Sequence, residues 1–470
     1  MDTVRHSTKV LKCTYIHLFI CLIFFSDSVV PSSSIVKSLP GFTGPLPFYL
    51  ETGYIAVDEK EDAQFFYYFV ESEGSPREDP LMLWFIGGPG CSVLSALTVE
   101  IGPLRFNIVE YNGSLPTLAL NTLSWTKAAS IIFIDGPVGT GFSYSKSRRE
   151  GYQTDDILFA DQSLVFLKKW LLAHPKFISN PLYIGGDSYA GIIVPVVAEE
   201  VVKSIEANNA PKFNFQGYLV GNGLTDVNID LNSRVLFAHR MALISDELYE
   251  SAKNNCKGQY HGNHDDNKLC GDDLNAISLC TEKINIQHIL EPLCSSIFTL
   301  NGKVGFTNRK SLLEKSLPGF PDLGCRSYDT VLIHFWANDE RVQQALHVRE
   351  GTKKTWIRCP KNLPYKEILP SVVSYHQRLN SRGYRALIYS GDHDMMIPYI
   401  GSQAWIESLN IPIVSQWRPW LVDHQIAGYV TEYSNGITFA TVKGAGHTAP
   451  EYRPKECFAM FKRWISHEPL

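Results

Sequence analysis

Gly186-Asp187-Ser188-Tyr189-Ala190-Gly191 follows the apolar segment Pro181-Leu182-Tyr183-Ile184 and precedes a longer apolar run that begins Ile192-Ile193-Val194-Pro195-Val196-Val197. A short apolar run, a glycine-flanked turn and a longer apolar run read as strand, tight turn and helix. The serine at the apex then has its hydroxyl lifted above the end of the strand, the arrangement called a nucleophile elbow. Small residues at Gly186 and Ala190 suit this reading, because strand and helix almost touch at such a turn. The hexapeptide alone does not decide the matter. An ordinary strand-to-helix turn capped by Asp or Ser has the same look.

The surrounding pattern supports the elbow. Six segments read as buried parallel strands: 81–86, 130–134, 181–184, 215–220, 384–389 and 437–442. Each is a short apolar run closed by Gly, Asp or Pro turn chemistry, and helical patterns such as 156–172 lie between some of them. This is a doubly wound, mostly parallel α/β pattern. Between the fourth and fifth strands it lapses for some 160 residues, where helix-like stretches and six cysteines occur. The expected organisation is a core of 31–224 and 340–470 with an inserted, disulfide-stapled helical cap at 225–339. Within the cap, 301–323 is rich in Lys, Gly, Asn and Pro and reads as an exposed loop.

The chain has 470 residues, 44% of them hydrophobic, and a net charge of −5. That suffices for a large core, and the absence of a basic patch gives no reason to expect nucleic acid. Arg5, Lys9 and Lys12 precede the apolar run Tyr15–Phe25, followed by Ser/Pro-rich sequence. This reads as a signal peptide over 1–30, cut between about 26 and 34, because the run is short for a membrane span. The expected product is a protein of the secretory pathway, either extracellular or vacuolar. Cys13 and Cys21 leave with the signal, so eight of the ten cysteines remain. Disulfides are expected in that compartment, but eight cysteines allow 105 pairings. No CxxC or HxxxH pair suggests a metal, and no cofactor is expected. Asn112-Gly113-Ser114 is a glycosylation sequon, which suggests a surface loop.

A serine hydroxyl is a weak nucleophile and needs a histidine base oriented by a buried carboxylate. In the α/β-hydrolase order the chain runs Ser, then Asp or Glu, then His. Strand 384–389 ends in Ser390-Gly391-Asp392-His393-Asp394, and strand 437–442 ends in Lys443-Gly444-Ala445-Gly446-His447. Three strand ends thus supply the three residue types in order. His447 is the candidate base, while physics alone does not separate Asp392 from Asp394. An oxyanion hole needs a second backbone N–H beside that of Tyr189. The turn Ile86-Gly87-Gly88-Pro89-Gly90-Cys91-Ser92 offers one. No Lys-Ser/Thr follows Gly90, which argues against a phosphate loop.

Five motifs in this order resemble the serine carboxypeptidase family, and more closely its plant carboxypeptidase-like branch. They are Trp84-x-x-Gly-Gly-Pro-Gly-Cys-Ser92, Asp135-Gly-Pro-Val-Gly-Thr-Gly-Phe-Ser143, the elbow itself, Tyr389-Ser-Gly-Asp-x-Asp394 and Gly446-His-x-x-Pro450. The resemblance runs from about Leu39 to the C-terminus. It implies an α/β-hydrolase fold with Ser188 as nucleophile, His447 as general base and Asp394 as orienting acid. Gly88 and Tyr189 would supply the oxyanion N–H groups. It also implies the pairs Cys91–Cys359, Cys256–Cys270 and Cys294–Cys325, leaving Cys280 and Cys457 free.

The chain departs from the family where a peptidase would grip the substrate's terminal carboxylate. The family uses an Asn before the double glycine, a Glu before the nucleophile and a Glu after the Cys-Ser turn. Here, beside Gly87, those positions hold Ile86, Asp187 and Glu100, and Val93 replaces a serine. A missing hydrogen-bond partner costs about 1–3 kcal/mol. These changes resemble the acyltransferase subgroup, which moves an acyl group from a glucose ester to an alcohol or amine. A serine-type carboxypeptidase acting on a peptide C-terminus is the alternative, and a non-catalytic binding relative the third.

Overall fold

The computed structural model describes residues 32–147, 152–294, 323–352 and 355–470. The expected signal peptide lies outside the described residues, and of the expected loop at 301–323 only Leu323 falls within them.

The main sheet has twelve strands among the described residues. In chain order they are Ser32–Ile35 (β1), Leu50–Asp58 (β2), Ala63–Val70 (β3), Leu81–Phe85 (β4), Ser130–Ile134 (β5), Tyr144–Ser145 (β6), Leu182–Asp187 (β7), Phe215–Gly221 (β8), Arg385–Gly391 (β9), Ile413–Val422 (β10), Gln425–Tyr433 (β11) and Ile437–Val442 (β12). Across the sheet the order is β1-β2-β3-β5-β4-β7-β8-β9-β12-β11-β10, with β6 paired to β3. The six central strands, β5 to β12, run parallel. They are the six segments the sequence marks, with boundaries shifted by at most three residues.

The antiparallel flanks were not anticipated. In β3 every residue is buried, with Phe65, Tyr67 and Phe69 in one core and Phe66, Tyr68 and Val70 in the other. Such a strand shows no polar alternation to mark it. On the far edge, β10 pairs with β11 through three register irregularities. Bulges interrupt the period-two pattern on which a sequence reading depends. The hairpin closes at Asp423 and His424, both at positive φ, as a two-residue primed turn requires.

The strand order reverses between β4 and β7. The chain goes from β4 outward to β5, then returns to the other side of β4 to lay down β7. In open α/β sheets a crevice forms beyond the carboxyl ends of the strands at such a point. The glycine turn after β4 and Ser188 after β7 both lie there. Helices Asp156–Ala173, Ala190–Glu206 and Val373–Ser381 cover one face. Helices Ser327–Ala337 and Pro454–Ile465 cover the other, where Trp336 and Phe461 are fully buried.

Three disulfides are present, Cys91–Cys359, Cys256–Cys270 and Cys294–Cys325, while Cys280 is exposed and unpaired and Cys457 buried and unpaired. The first spans 268 positions and ties the glycine turn to the segment carrying Leu363. A Cβ at Gly90 would meet Leu363 Cδ2 at 2.5 Å, so the turn and this segment are closely fitted. Replacing both Cys91 and Cys359 by Ser is expected to lower stability by about 2–5 kcal/mol. Urea unfolding under non-reducing conditions measures it, and an unchanged midpoint would remove the cross-link's stabilising role.

Candidate active site

Ser188 sits at φ +58, in the left-handed region, between β7 and the helix Ala190–Glu206. A non-glycine residue is rarely held there unless its surroundings over-determine it. Here they do. Its N–H donates to Gly221 O at 3.0 Å, and its carbonyl accepts from Gly191 and Leu224 at 2.9 and 3.0 Å. A Cβ at Gly186 would meet Ala190 Cβ at 2.7 Å, so the strand and helix do pack at contact distance. Gly87 lies against the Ser188 side chain and the Tyr189 N–H, with no room for a side chain of its own. The Tyr189 hydroxyl donates to Asp156 Oδ1 at 2.7 Å, which also receives the Tyr365 hydroxyl at 2.6 Å.

The Ser188 Oγ is 2.8 Å from His447 Nε2, and His447 Nδ1 is 2.8 Å from Asp394 Oδ2. With Nδ1–H donating a hydrogen bond to Asp394, the Nε2 lone pair faces the serine hydroxyl. The two aspartates that turn chemistry alone does not separate have distinct surroundings. Asp394 has no solvent exposure, and its Oδ1 accepts from Met396 N–H at 2.7 Å and Ile397 N–H at 3.2 Å. Asp392 instead accepts from Gly444 N–H at 2.7 Å and pairs with His393 Nδ1 at 2.6 Å. It caps the turn.

Asn222 was missed by the sequence reading. Its Nδ2 donates to Asp394 Oδ2 at 2.8 Å, and its Oδ1 accepts from Ala449 N–H at 3.3 Å. The available signal was Gly221-Asn222-Gly223, a polar residue between glycines at the carboxyl end of β8.

Beside this array Glu100 and Asp187 are both buried. Burial pushes the Glu100 carboxyl well up, and the charges of Asp187 and Glu451 push the same way. Burial also raises Asp187, against the opposing hydrogen bond from Glu100. As two carboxylates they could only accept, and Asp187 Oδ1 and Oδ2 find no donor among the described residues. Two buried like charges repel, which favours a proton on Glu100 over a second buried charge. Ile86 is half-buried and packs against the core on the same side. For His447, burial disfavours the imidazolium, but the Asp394 charge and hydrogen bond, with Asp187 and Glu451 behind them, hold its pKa above the usual value. Asn112 is exposed, its Oδ1 accepting from Ser114 N–H at 3.0 Å.

Comparison with known proteins gives a consistent result. The serine carboxypeptidase family model matches residues 40–467. The chain is 47% identical to serine carboxypeptidase-like 2 of Arabidopsis thaliana over 466 residues, covering 99% of each. It is 48% identical to serine carboxypeptidase-like 7 of the same plant over 453 residues, covering 96% of this chain and 98% of the relative. Among solved structures, a prohormone-processing carboxypeptidase of Saccharomyces cerevisiae superposes with a TM-score of 0.70 at 20% identity, covering 89% of this chain and 92% of that one. At that identity it shows a shared fold.

The charges around His447 yield a first electrostatic prediction. A neighbouring carboxylate favours the imidazolium, so its removal lowers the histidine pKa. Followed by NMR, His447 is expected to titrate above the ordinary imidazole value of about 6.5, and Asp187→Asn is expected to move that midpoint down. An upward or absent shift would mean that Asp187 carries no charge felt by His447.

Proposed function

The chain belongs to the serine carboxypeptidase family, and from that premise we propose that it is an acyltransferase using glucose-ester donors. Ser188 Oγ attacks the donor's acyl carbonyl while its proton passes to His447 Nε2. The tetrahedral oxyanion is held by the N–H groups of Gly88 and Tyr189. Collapse expels the glucose oxygen, which takes the proton back from His447 and leaves an ester on Ser188. An acceptor alcohol or amine then gives its proton to His447 and attacks that ester, and Ser188 leaves as the hydroxyl. Asp394 stays ionised throughout and stabilises the imidazolium. The insertion at 225–339 acts as the cap, limiting the water that would hydrolyse the acyl-enzyme.

Ile86 carries this choice of substrate. It adjoins Gly87, which touches Ser188, and it offers an apolar wall where a hydrogen-bonding side chain would grip a peptide's terminal carboxylate. The wall suits an aromatic or aliphatic acyl group or a sugar ester better than a charged chain end. One observation favours the second reading, a carboxypeptidase. Glu100, whose carboxyl burial pushes well up, could donate a proton to a carboxylate. Passage through the secretory pathway to the vacuole or cell exterior, with a glycan on Asn112, is supported by the three disulfides and by that residue's exposure. No described helix is long and apolar enough to cross a membrane.

Two experiments test the proposal. Purified enzyme offered 1-O-acyl-glucose esters, free peptides and C-terminally blocked peptides is expected to transfer acyl groups faster than it cleaves any peptide, as read by mass spectrometry. Ile86→Asn is expected to shift the balance toward peptide cleavage. Efficient trimming of free peptides with every ester ignored would make it a carboxypeptidase.

The second concerns the acid. Asp394→Asn is expected to slow turnover on the order of 10⁴-fold, and Asp392→Asn far less. A fluorophosphonate is expected to label Ser188, so undiminished labelling of Ser188→Ala would remove the nucleophile.

A further inference from the structure

A short strap, Ile286-Gln287-His288-Ile289, lies between helix Lys268–Thr281 and the Cys294–Cys325 disulfide. It runs across the two loops that carry Asp394 and His447. Its backbone bonds both. His447 N–H donates to Gln287 O at 2.6 Å, Met395 N–H donates to Ile286 O at 2.9 Å, and Ile289 N–H donates to His393 O at 3.2 Å. The two loops also bond each other, through His393 N–H to Ala445 O at 2.9 Å. The approach is close at Gly446, where a Cβ would run into Gln287 O and lie 2.7 Å from His288 Cβ.

His288 is the strap's buried side chain, 6% exposed. Its Nδ1 accepts from Leu290 N–H and its Nε2 donates to Gly444 O, each at 3.3 Å. That pair of partners requires the neutral ring protonated on Nε2. The ring stacks on His393 with centroids 5.5 Å apart and packs against Tyr452 at 4.8 Å. One imidazole therefore joins the strap, the acid loop and the histidine loop.

We infer that His288 is a positioning residue for the catalytic array, holding the 444–447 loop so that His447 Nε2 faces Ser188 only while its own ring is neutral. This rests on the reading of Ser188 and His447 as nucleophile and base, and not on the identity of the acyl donor. Protonation at Nδ1 would turn the acceptor of Leu290 N–H into a second donor, and two donors would then face each other. The groups around the ring favour the neutral form on balance. Burial lowers its pKa, the Gly444 carbonyl and Glu291 oppose this, and His393 and Arg326 add to the lowering. Asp392 lies beyond His393, paired with that ring. With a depressed folded pKa, the neutral ring's contribution is fully present above about pH 6.5. It is lost as pH falls through the folded value.

The test is the rate at which a fluorophosphonate labels Ser188 between about pH 4 and pH 8, a readout that needs no natural substrate. His447 alone gives a fall of one log unit in rate per pH unit on the acid side. In the parent enzyme the slope is expected to steepen toward two once His288 also titrates. His288→Gln keeps a donor for Gly444 O and does not titrate, so it is expected to restore a slope of one while keeping most of the rate at neutral pH. His288→Phe keeps the ring packing and loses both hydrogen bonds. It is expected to label about tenfold more slowly or worse, with a thermal midpoint close to the parent's. If the Gln variant retains the parent's slope, or a folded Phe variant labels at the parent rate, the inference is overturned. Should the Phe variant not fold, the slope in the Gln variant decides. Undiminished labelling of Ser188→Ala would instead overturn the reading beneath it.

Discussion

Asp394 is a carboxylate with no access to water, and such a group is tolerated only when its oxygens are supplied with donors. Its four donors come from three distant stretches of chain. Met396 and Ile397 give backbone N–H groups from its own turn, Asn222 gives an amide from the end of β8, and His447 gives Nδ1–H from the end of β12. Satisfying one buried charge thereby fixes the separation of three strand ends. Because His447 is oriented by that bond, its other nitrogen falls 2.8 Å from Ser188 Oγ. The serine, at a strained φ, is locked in turn by backbone bonds to Gly221, Gly191 and Leu224.

The sheet explains why these ends converge. Parallel strands place all their carboxyl ends on one edge, and the order reversal between β4 and β7 opens a crevice there. The glycine turn after β4 can then approach the elbow after β7, since Gly87 has no side chain to collide with Ser188. The antiparallel flanks add no group to the array. They extend the buried area on both faces, as in β3, where alternate aromatics enter opposite cores.

A second electrostatic feature surrounds the first. Glu100, Asp187 and Glu451 all have carboxyl groups raised chiefly by burial, within reach of the Arg358 guanidinium. Arg358 donates to Ser95 Oγ at 2.7 Å and adjoins Cys359 of the long disulfide. Their raised pKa values favour holding protons, which lowers the cost of collecting them beside Asp394. The residual charge of Asp187 and Glu451 favours the His447 imidazolium. The carboxyl cluster is thus coupled electrostatically to His447.

Local chemistry made much of this legible in the sequence. Apolar runs closed by Gly, Asp or Pro mark the six parallel strands, because a strand buried on both faces and ended by a tight turn needs those residue types. The elbow and the histidine loop follow for the same reason, as polar residues flanked by glycines at strand ends. The family resemblance already pointed to Asp394 and to the three cysteine pairs, but the physical reason for each choice between chemically equal candidates lies in the tertiary structure. Asp392 and Asp394 are two residues apart on one turn, and only the position of β12 brings the second against His447. Asn222 meets Asp394 across 172 positions and Gln287 meets His447 through a backbone carbonyl, which no side-chain pattern encodes. The cysteine pairings likewise depend on which Cα atoms the fold brings within bonding reach. Periodicity and turn propensity act over a few residues, whereas a hydrogen bond between distant loops exists only once the sheet has placed them.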